Sequence, residues 1–156
     1  PVPHYQHSVI GYNYRLSDIL AGLGRGQLKV LDRRIEQRRK IFEYYQKALG
    51  DLPGFEFMPE PEGFFSTHWL SCVLIDPVKF GATREEIRLK LEESNIESRP
   101  LWMPMHLQPV FKGCEYYGTG VSDRLFEIGL CLPSASSMSD ADLEMTCSII
   151  RSMQKK

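Results

Sequence analysis

Two short stretches of this sequence concentrate side chains able to do chemistry. Gly11-Tyr12-Asn13-Tyr14-Arg15 crowds two phenols, an amide and a permanent cation into five positions. All of these groups demand hydrogen-bond partners when removed from water, so a buried helix start is a poor explanation for them. Arg99-Pro100-Leu101-Trp102-Met103-Pro104-Met105-His106 is the second stretch. Its two prolines exclude a helix interior and a central strand, leaving a stiff irregular loop. A guanidinium, a flat aromatic and an imidazole held on such a loop suit a phosphorylated, planar or sugar-bearing ligand. The plainer reading has Trp102 filling core, Arg99 paired with a carboxylate, and His106 satisfying a backbone carbonyl.

Other familiar chemistries find little support. His4, His7 and His68 have no ligand-like spacing, and Glu60 and Glu62 fall in a stretch expected to be a solvated loop, so a metal site is not expected. Cys72, Cys114, Cys131 and Cys147 are far apart and form no C-x-x-C pair; buried reduced thiols are expected. Gly22-Leu23-Gly24-Arg25-Gly26 lacks the preceding strand and the lysine of a phosphate-binding loop. No spacing selects a Ser/His/Asp set from the many serines.

The elements that must position these residues follow from periodicity. Ser17 to Leu49 is helical, with Leu28, Leu31, Ile35, Phe42, Tyr45 and Leu49 following three- and four-residue steps that are interrupted once, at Arg38. A bend or break is expected near Gly22, Gly24 and Gly26, which could equally permit close helix packing. Gly50, Pro53 and Gly54 stop the helix. Phe55–Phe57 and Thr67–Ile75 read as strands, and Thr83 with Glu86 as a capping box for a helix to about Ser94, with Ile87 and Leu91 inward. Ile96–Ser98 reads as a strand, Ser122–Ile128 as a short helix and Leu130–Pro133 as a strand. Ser139–Asp142 caps a final helix. The economical architecture is an α+β domain with a short mixed or antiparallel sheet covered by helices, introduced by a long N-terminal helix.

With 156 residues, 42% apolar and 25% charged, the chain suits one hydrophobic core. A net charge of -1 argues against nucleic acid or an anionic membrane as partner. The local cluster Arg33, Arg34, Arg38, Arg39 and Lys40 reads as a solvated helix face. Without a long apolar run or a signal-peptide layout, a cytoplasmic protein is expected. The opening Pro1-Val2-Pro3-His4-Tyr5-Gln6-His7 lacks an initiator methionine and reads as a connecting segment, so a fragment of a longer protein is expected.

Several ordered stretches together resemble one family: HSVIGYNYRLSDILAGLGRGQL, LDRRIEQRRKIFEYY, THWLSCVLI, IESRPLWMPMHLQPVFKG and GLCLPSASSMSDADL. They are similar to the C-terminal third of pyridoxal-phosphate-dependent nucleotide-sugar aminotransferases of the DegT/DnrJ/EryC1/StrS family. The RPLW-x-PMH-x-QPVF stretch most resembles members that aminate UDP-linked 4-keto-6-deoxy-N-acetylhexosamines. The resemblance implies the small C-terminal domain of a fold-type I aminotransferase over residues 17–156, with 1–16 as a connecting and interface segment. It implies a homodimer in which Asn13 reaches the cofactor phosphate held by the partner subunit, Arg15 assists that anionic site, and Tyr12 and Tyr14 close the interface. Arg99 and His106 would contact the sugar nucleotide, with Trp102 packed beside them and Tyr12 also on the substrate side. An amino-acid donor, usually glutamate, would supply the nitrogen. None of the eight lysines stands in the family's Schiff-base context, so this chain alone is expected to be inactive and free of pyridoxal phosphate. A sugar dehydratase of the same fold, or a stand-alone nucleotide-sugar or protein-interaction module, are the alternatives.

Overall fold

The computed structural model describes residues 3–13 and 16–155. The long helical pattern becomes two helices, α1 (Asp18–Leu28) and α2 (Leu31–Leu49), with Ser17 Oγ capping α1 by accepting from the Leu20 amide at 3.3 Å. The break falls at Lys29 and Val30, not at the glycines. Gly22, Gly24 and Gly26 sit within α1, and a Cβ on any of them would meet nothing within 4 Å, so they neither bend the helix nor permit a close packing among the described residues. The interruption separates a helix that buries Ile41, Phe42, Tyr45 and Leu49 from one that buries nothing. Leu16, Ile19, Leu20, Leu23 and Leu28 are all exposed, which makes α1 and its approach an uncovered apolar surface among the described residues.

Four strands follow: β1 (Phe55–Phe57), β2 (Ser71–Ile75), β3 (Arg99–Pro100) and β4 (Gly129–Leu132), fully antiparallel in the order β1-β2-β4-β3. Alternation puts Phe55, Val73, Ile75, Leu130 and Leu132 on one face, where they join α2, α4 (Arg84–Glu92) and α6 (Asp140–Ser152) in a single core. Ile87 and Leu91 of α4 are fully buried, as their spacing predicts. Both capping boxes form, Thr83 with Glu86 and Ser139 with Asp142, each fixing a helix start on a named residue. The sequence had not separated α3 (Pro77–Phe80), which Asp76 caps by accepting from the Val78 and Lys79 amides.

Two strands differ from expectation. β2 begins at Ser71 rather than Thr67, because His68 takes a φ of 44°, outside the extended region. The third strand falls on Arg99–Pro100 rather than Ile96–Ser98, and it lies at the sheet edge, where a proline without an N–H is tolerated. α5 (Val121–Ile128) runs directly into β4 through Gly129. A Cβ there would stand 2.3 Å from the Leu125 carbonyl oxygen and 2.2 Å from Leu101 Cδ1, so only glycine permits this junction against the loop after β3.

The basic face of α2 is not simply solvated. Arg39 donates to Glu60 at 2.7 Å and to the Ser66 carbonyl, and Arg38 donates to the Trp69 carbonyl. Glu60 also accepts from the Ser66 amide at 2.9 Å, so it anchors the β1–β2 loop instead of facing water unpaired. Of the cysteines, Cys131 and Cys147 are buried and Cys72 half-buried, but Cys114 is exposed.

His68, 4% exposed, lies flat against Phe42 with ring centroids 3.8 Å apart, its Nε2 3.5 Å from Glu60 Oε2. Burial, reinforced by the Arg39 charge and opposed by Glu60 and Glu43, holds its pKa below the usual imidazole value. The unfolded chain therefore takes up a proton more readily, and stability present above about pH 6.5 is lost as pH falls toward the folded value. Arg39 holds the Glu60 carboxyl below its usual range, so Glu60 stays ionised in that window. Thermal melts between pH 8 and 5 should show a declining midpoint that His68→Gln flattens; an unchanged slope in the variant would refute this assignment.

Candidate functional site

A cavity of about 540 Å³ lies beside the β3 edge. Its walls are the segment from Asn95 to Pro100, the end of β4 with the loop after it, the first turns of α6, and three aromatic side chains, Tyr5, Trp69 and Trp102. Trp69 and Trp102 are the only tryptophans of the chain, and their rings sit 6.1 Å apart at a 35° tilt, each about half or more exposed. Two such faces in a partly apolar cleft suit a flat ring or a sugar face. Trp102 thus does not fill core. The cleft floor is fixed by Ser134, whose Oγ accepts from the Ser71 amide at 2.8 Å and donates to the Leu132 carbonyl at 2.9 Å. Ser98 also lines it, and its buried Oγ has no hydrogen-bond partner among the described residues.

Arg99 stands at the rim of the same cleft. Its Nε donates to Glu97 at 2.7 Å, which raises its pKa further, and its guanidinium lies 5.6 Å over the Tyr5 ring. Both partners are exposed, so an incoming anion competes with a weak pair. His106 is placed elsewhere. It sits on the 3₁₀ turn Met105–Leu107, its Nε2 2.7 Å from Asp123 Oδ1 of α5 and its ring stacked on Tyr116 at 3.7 Å. That contact is to a carboxylate, not to the backbone carbonyl of the plainer reading, and it fixes the ring's orientation. His106 does not line the cleft.

The segment leading to GYNYR is fastened to this loop by a residue the sequence did not single out. Gln108, 3% exposed, donates from Nε2 to the carbonyls of Tyr5 at 3.1 Å and Met103 at 3.2 Å, and its Oε1 accepts from the His7 amide at 2.8 Å. The Val110 amide donates to the His7 carbonyl, completing the attachment. A polar residue framed by two apolar ones in HLQPVF carries no periodic signal, so only its partners reveal the role. Tyr12 and Asn13 are exposed and do not line the cleft, and Arg15 and Tyr14 lie outside the described residues. Among the described residues no cluster of three or more His, Cys, Asp or Glu is placed to hold a metal, and no helix is long and apolar enough to cross a membrane.

The antiparallel four-stranded sheet with its helices is an α+β fold shared with solved aminotransferases. The chain belongs to the DegT/DnrJ/EryC1/StrS aminotransferase family, which it matches over residues 2–151. It is 50% identical over 144 residues to EpsN of Bacillus subtilis (strain 168), whose name assigns it to the pyridoxal phosphate-dependent aminotransferases; that match covers 90% of this chain and 36% of EpsN. It is 31% identical over 148 residues to the GDP-perosamine synthase of Vibrio cholerae, covering 94% of this chain and 40% of that one. A crystal structure of a DegT DnrJ EryC1 StrS aminotransferase from Brucella abortus superimposes with a TM-score of 0.78 at 27% identity, covering 98% of this chain and 40% of that chain. The chain therefore spans roughly two fifths or less of the length of these relatives.

The family is pyridoxal-phosphate-dependent, and the described residues do not by themselves make a site for that group. A Schiff-base lysine needs burial or an adjacent cation to lower its pKa. All seven described lysines, at positions 29, 40, 47, 79, 90, 112 and 155, are exposed.

Gln108→Leu should release the N-terminal segment while leaving the core intact, because three hydrogen bonds from a buried amide are lost, at about 0.5–1.5 kcal/mol each. Hydrogen exchange at the His7 and Val110 amides should accelerate strongly with the β4 amides unaffected; unchanged protection at His7 would show that Gln108 is not the fastening.

Proposed function

We propose that this chain is the C-terminal small domain of a nucleotide-sugar aminotransferase that moves an amino group, usually from glutamate, onto a 4-keto-6-deoxy nucleotide sugar. The observation that carries this reading is the cleft at the β3 edge, which joins two tryptophan faces to a guanidinium whose ion pair is with an exposed carboxylate. Residues 17–156 form the domain, and residues 1–16 connect it to the part of the enzyme that supplies the Schiff-base lysine. Pyridoxal phosphate, when bound, provides the electron sink for moving the amino group. The contribution of this chain is to bind and orient.

In this reading Arg99 pairs with the substrate diphosphate and Trp102 packs against the sugar nucleotide. His106, held by Asp123 outside this cleft, is assigned to a part of the sugar nucleotide that extends beyond it, and Tyr12 contributes from the interface segment. Asn13, with Arg15, serves the cofactor phosphate across a homodimer interface, in a cytoplasmic enzyme. The exposed leucines of α1 supply apolar surface for a covering partner.

The RPLW-x-PMH-x-QPVF stretch resembles UDP-sugar enzymes, whereas the Vibrio cholerae relative is named for a GDP-sugar. Assaying the full-length enzyme with glutamate and each 4-keto-6-deoxy nucleotide sugar decides between them, with the UDP-linked N-acetylhexosamine expected to turn over faster. Arg99→Ala should raise KM for the sugar nucleotide about ten- to a hundredfold, since a charge-assisted contact is worth about 1.5–3 kcal/mol. Trp102→Phe should raise it less, and cofactor content should stay constant in both. Unchanged KM in the Arg99 variant would return that residue to a structural role.

Asn13 is tested by complementation. A heterodimer of an Asn13→Ala chain and a chain lacking the catalytic lysine should regain about half the activity of the parent dimer, because residues shared over a two-fold axis place both defects in one site. Activity no higher than that of the Asn13→Ala homodimer would mean that Asn13 serves its own subunit.

A further inference from the structure

A second cavity, about 460 Å³, lies behind the loop that walls the cleft. Arg34 and Arg38 of α2, four residues apart and so on one helix face, line it together with Ser136, Ser137 and Gln27. Leu28 and Leu31, flanking the α1–α2 break, form its apolar side.

The charge balance here differs from that around the other half-buried arginines. Five arginines are half-buried among the described residues, at positions 34, 38, 39, 84 and 88. Arg39 pairs with Glu60, Arg84 with Glu85, and Arg88 with Glu85 and Glu92. Arg34 and Arg38 form no ion pair among the described residues, and no carboxylate lines the cavity they share. Arg34 Nη1 donates to Ser136 Oγ at 3.1 Å and to Gln37 Oε1 at 3.4 Å; Arg38 Nη1 donates to the Trp69 carbonyl. Those contacts use one nitrogen of each guanidinium and orient it. The remaining nitrogens of both forks, with the Ser136 and Ser137 hydroxyls, make a set rich in donors.

Two partly desolvated cations side by side repel one another, and a bound anion would relieve that repulsion. A phosphoryl group presents three strong acceptor oxygens and up to two negative charges, which matches two forks and two hydroxyls better than a single carboxylate does. We propose that this cavity is a binding site for a phosphoryl group, separate from the cleft at the β3 edge. Its walls are shared with that cleft: Trp69, whose carbonyl Arg38 holds, lines the cleft with its side, and Ser134 and Ala135 on the cleft side continue directly into Ser136 and Ser137. Occupancy therefore stiffens the loop that forms one wall of the cleft. The site stands on these contacts and does not depend on the reaction proposed above.

Calorimetric titration of the full-length enzyme with inorganic phosphate, and separately with UDP and GDP, against sodium chloride at matched ionic strength, tests the proposal. Saturable phosphate binding that chloride does not mimic is expected, weakened about tenfold or more by Arg34→Gln or Arg38→Gln and unaffected by Trp102→Ala. Tighter binding of a nucleoside diphosphate than of phosphate, still insensitive to Trp102→Ala, would identify nucleotide phosphates as the source; phosphate binding as tightly as either nucleotide would identify the free anion. Should an arginine variant melt at lower temperature, Ser137→Ala provides the same comparison with a smaller loss. Absence of saturable binding below about 10 mM, or equal affinity in the parent and in melting-competent variants, overturns the site. Loss of nucleotide binding in Trp102→Ala alone, with phosphate binding intact, bears on the cleft and leaves this site standing.

Discussion

The double pairing of β4 is the constraint from which the rest of the arrangement follows. Its four residues are all buried, and its backbone bonds to β2 on one side and β3 on the other. Opposing Leu130 to Val73 and Leu132 to Ser71 sets which side chains meet the helices, since a one-residue slip would turn every one of them to the wrong face. The same strand puts Arg99 opposite Cys131 and so fixes where the loop carrying Trp102 begins. Its far end delivers Pro133 and the serine-rich loop, and the Tyr45 hydroxyl donates to the Pro133 carbonyl at 2.9 Å to hold that exit against α2. Gly129 at its start allows α5 to end against Leu101.

Onto this frame the functional loops are fastened by side chains reaching across long sequence separations. Arg38 and Arg39 hold the β1–β2 loop, and Gln108 holds the N-terminal segment. The consequence is a surface where aromatic rings stay exposed without being loose: Trp69 is placed through its carbonyl and Trp102 through a segment bounded by Pro100 and Pro104. Ordered, exposed aromatics of this kind lose little entropy on binding, which favours ligand capture.

Much of the fold was legible because its signals are local. The two capping boxes, the inward Ile87 and Leu91 and the glycine stop after α2 depend on residues within one or two turns. The rest failed for a common reason. The arginines of α2 read as solvated because their acceptors, the carbonyls of Ser66 and Trp69, lie 27 and 31 residues away and carry no side-chain signature. The start of β2 was overextended because a positive φ at His68 is set by its packing on Phe42, not by its neighbours in sequence. The break at Lys29 and Val30 follows from where burial begins, which glycine propensity does not report. At the site, composition singles out Arg99, Trp102 and His106, but only the folded structure divides them between a cleft and a separate His106–Asp123 pair. Gln108 and the Arg34–Arg38 cavity were invisible for the opposite reason: their residues are ordinary and their partners are not.

Pro100 has a consequence for how this protein can meet another. It closes the β3 side of the sheet with a two-residue strand that has no amide to offer at its second position, so no foreign strand can extend the sheet there. Association on that flank must proceed through side chains, which mutate independently, rather than through backbone ladders, which recruit any extended peptide. Partner choice at the β3 edge is thereby written in residue identity, and the edge resists indiscriminate polymerisation even while its aromatic cleft stays open to small molecules.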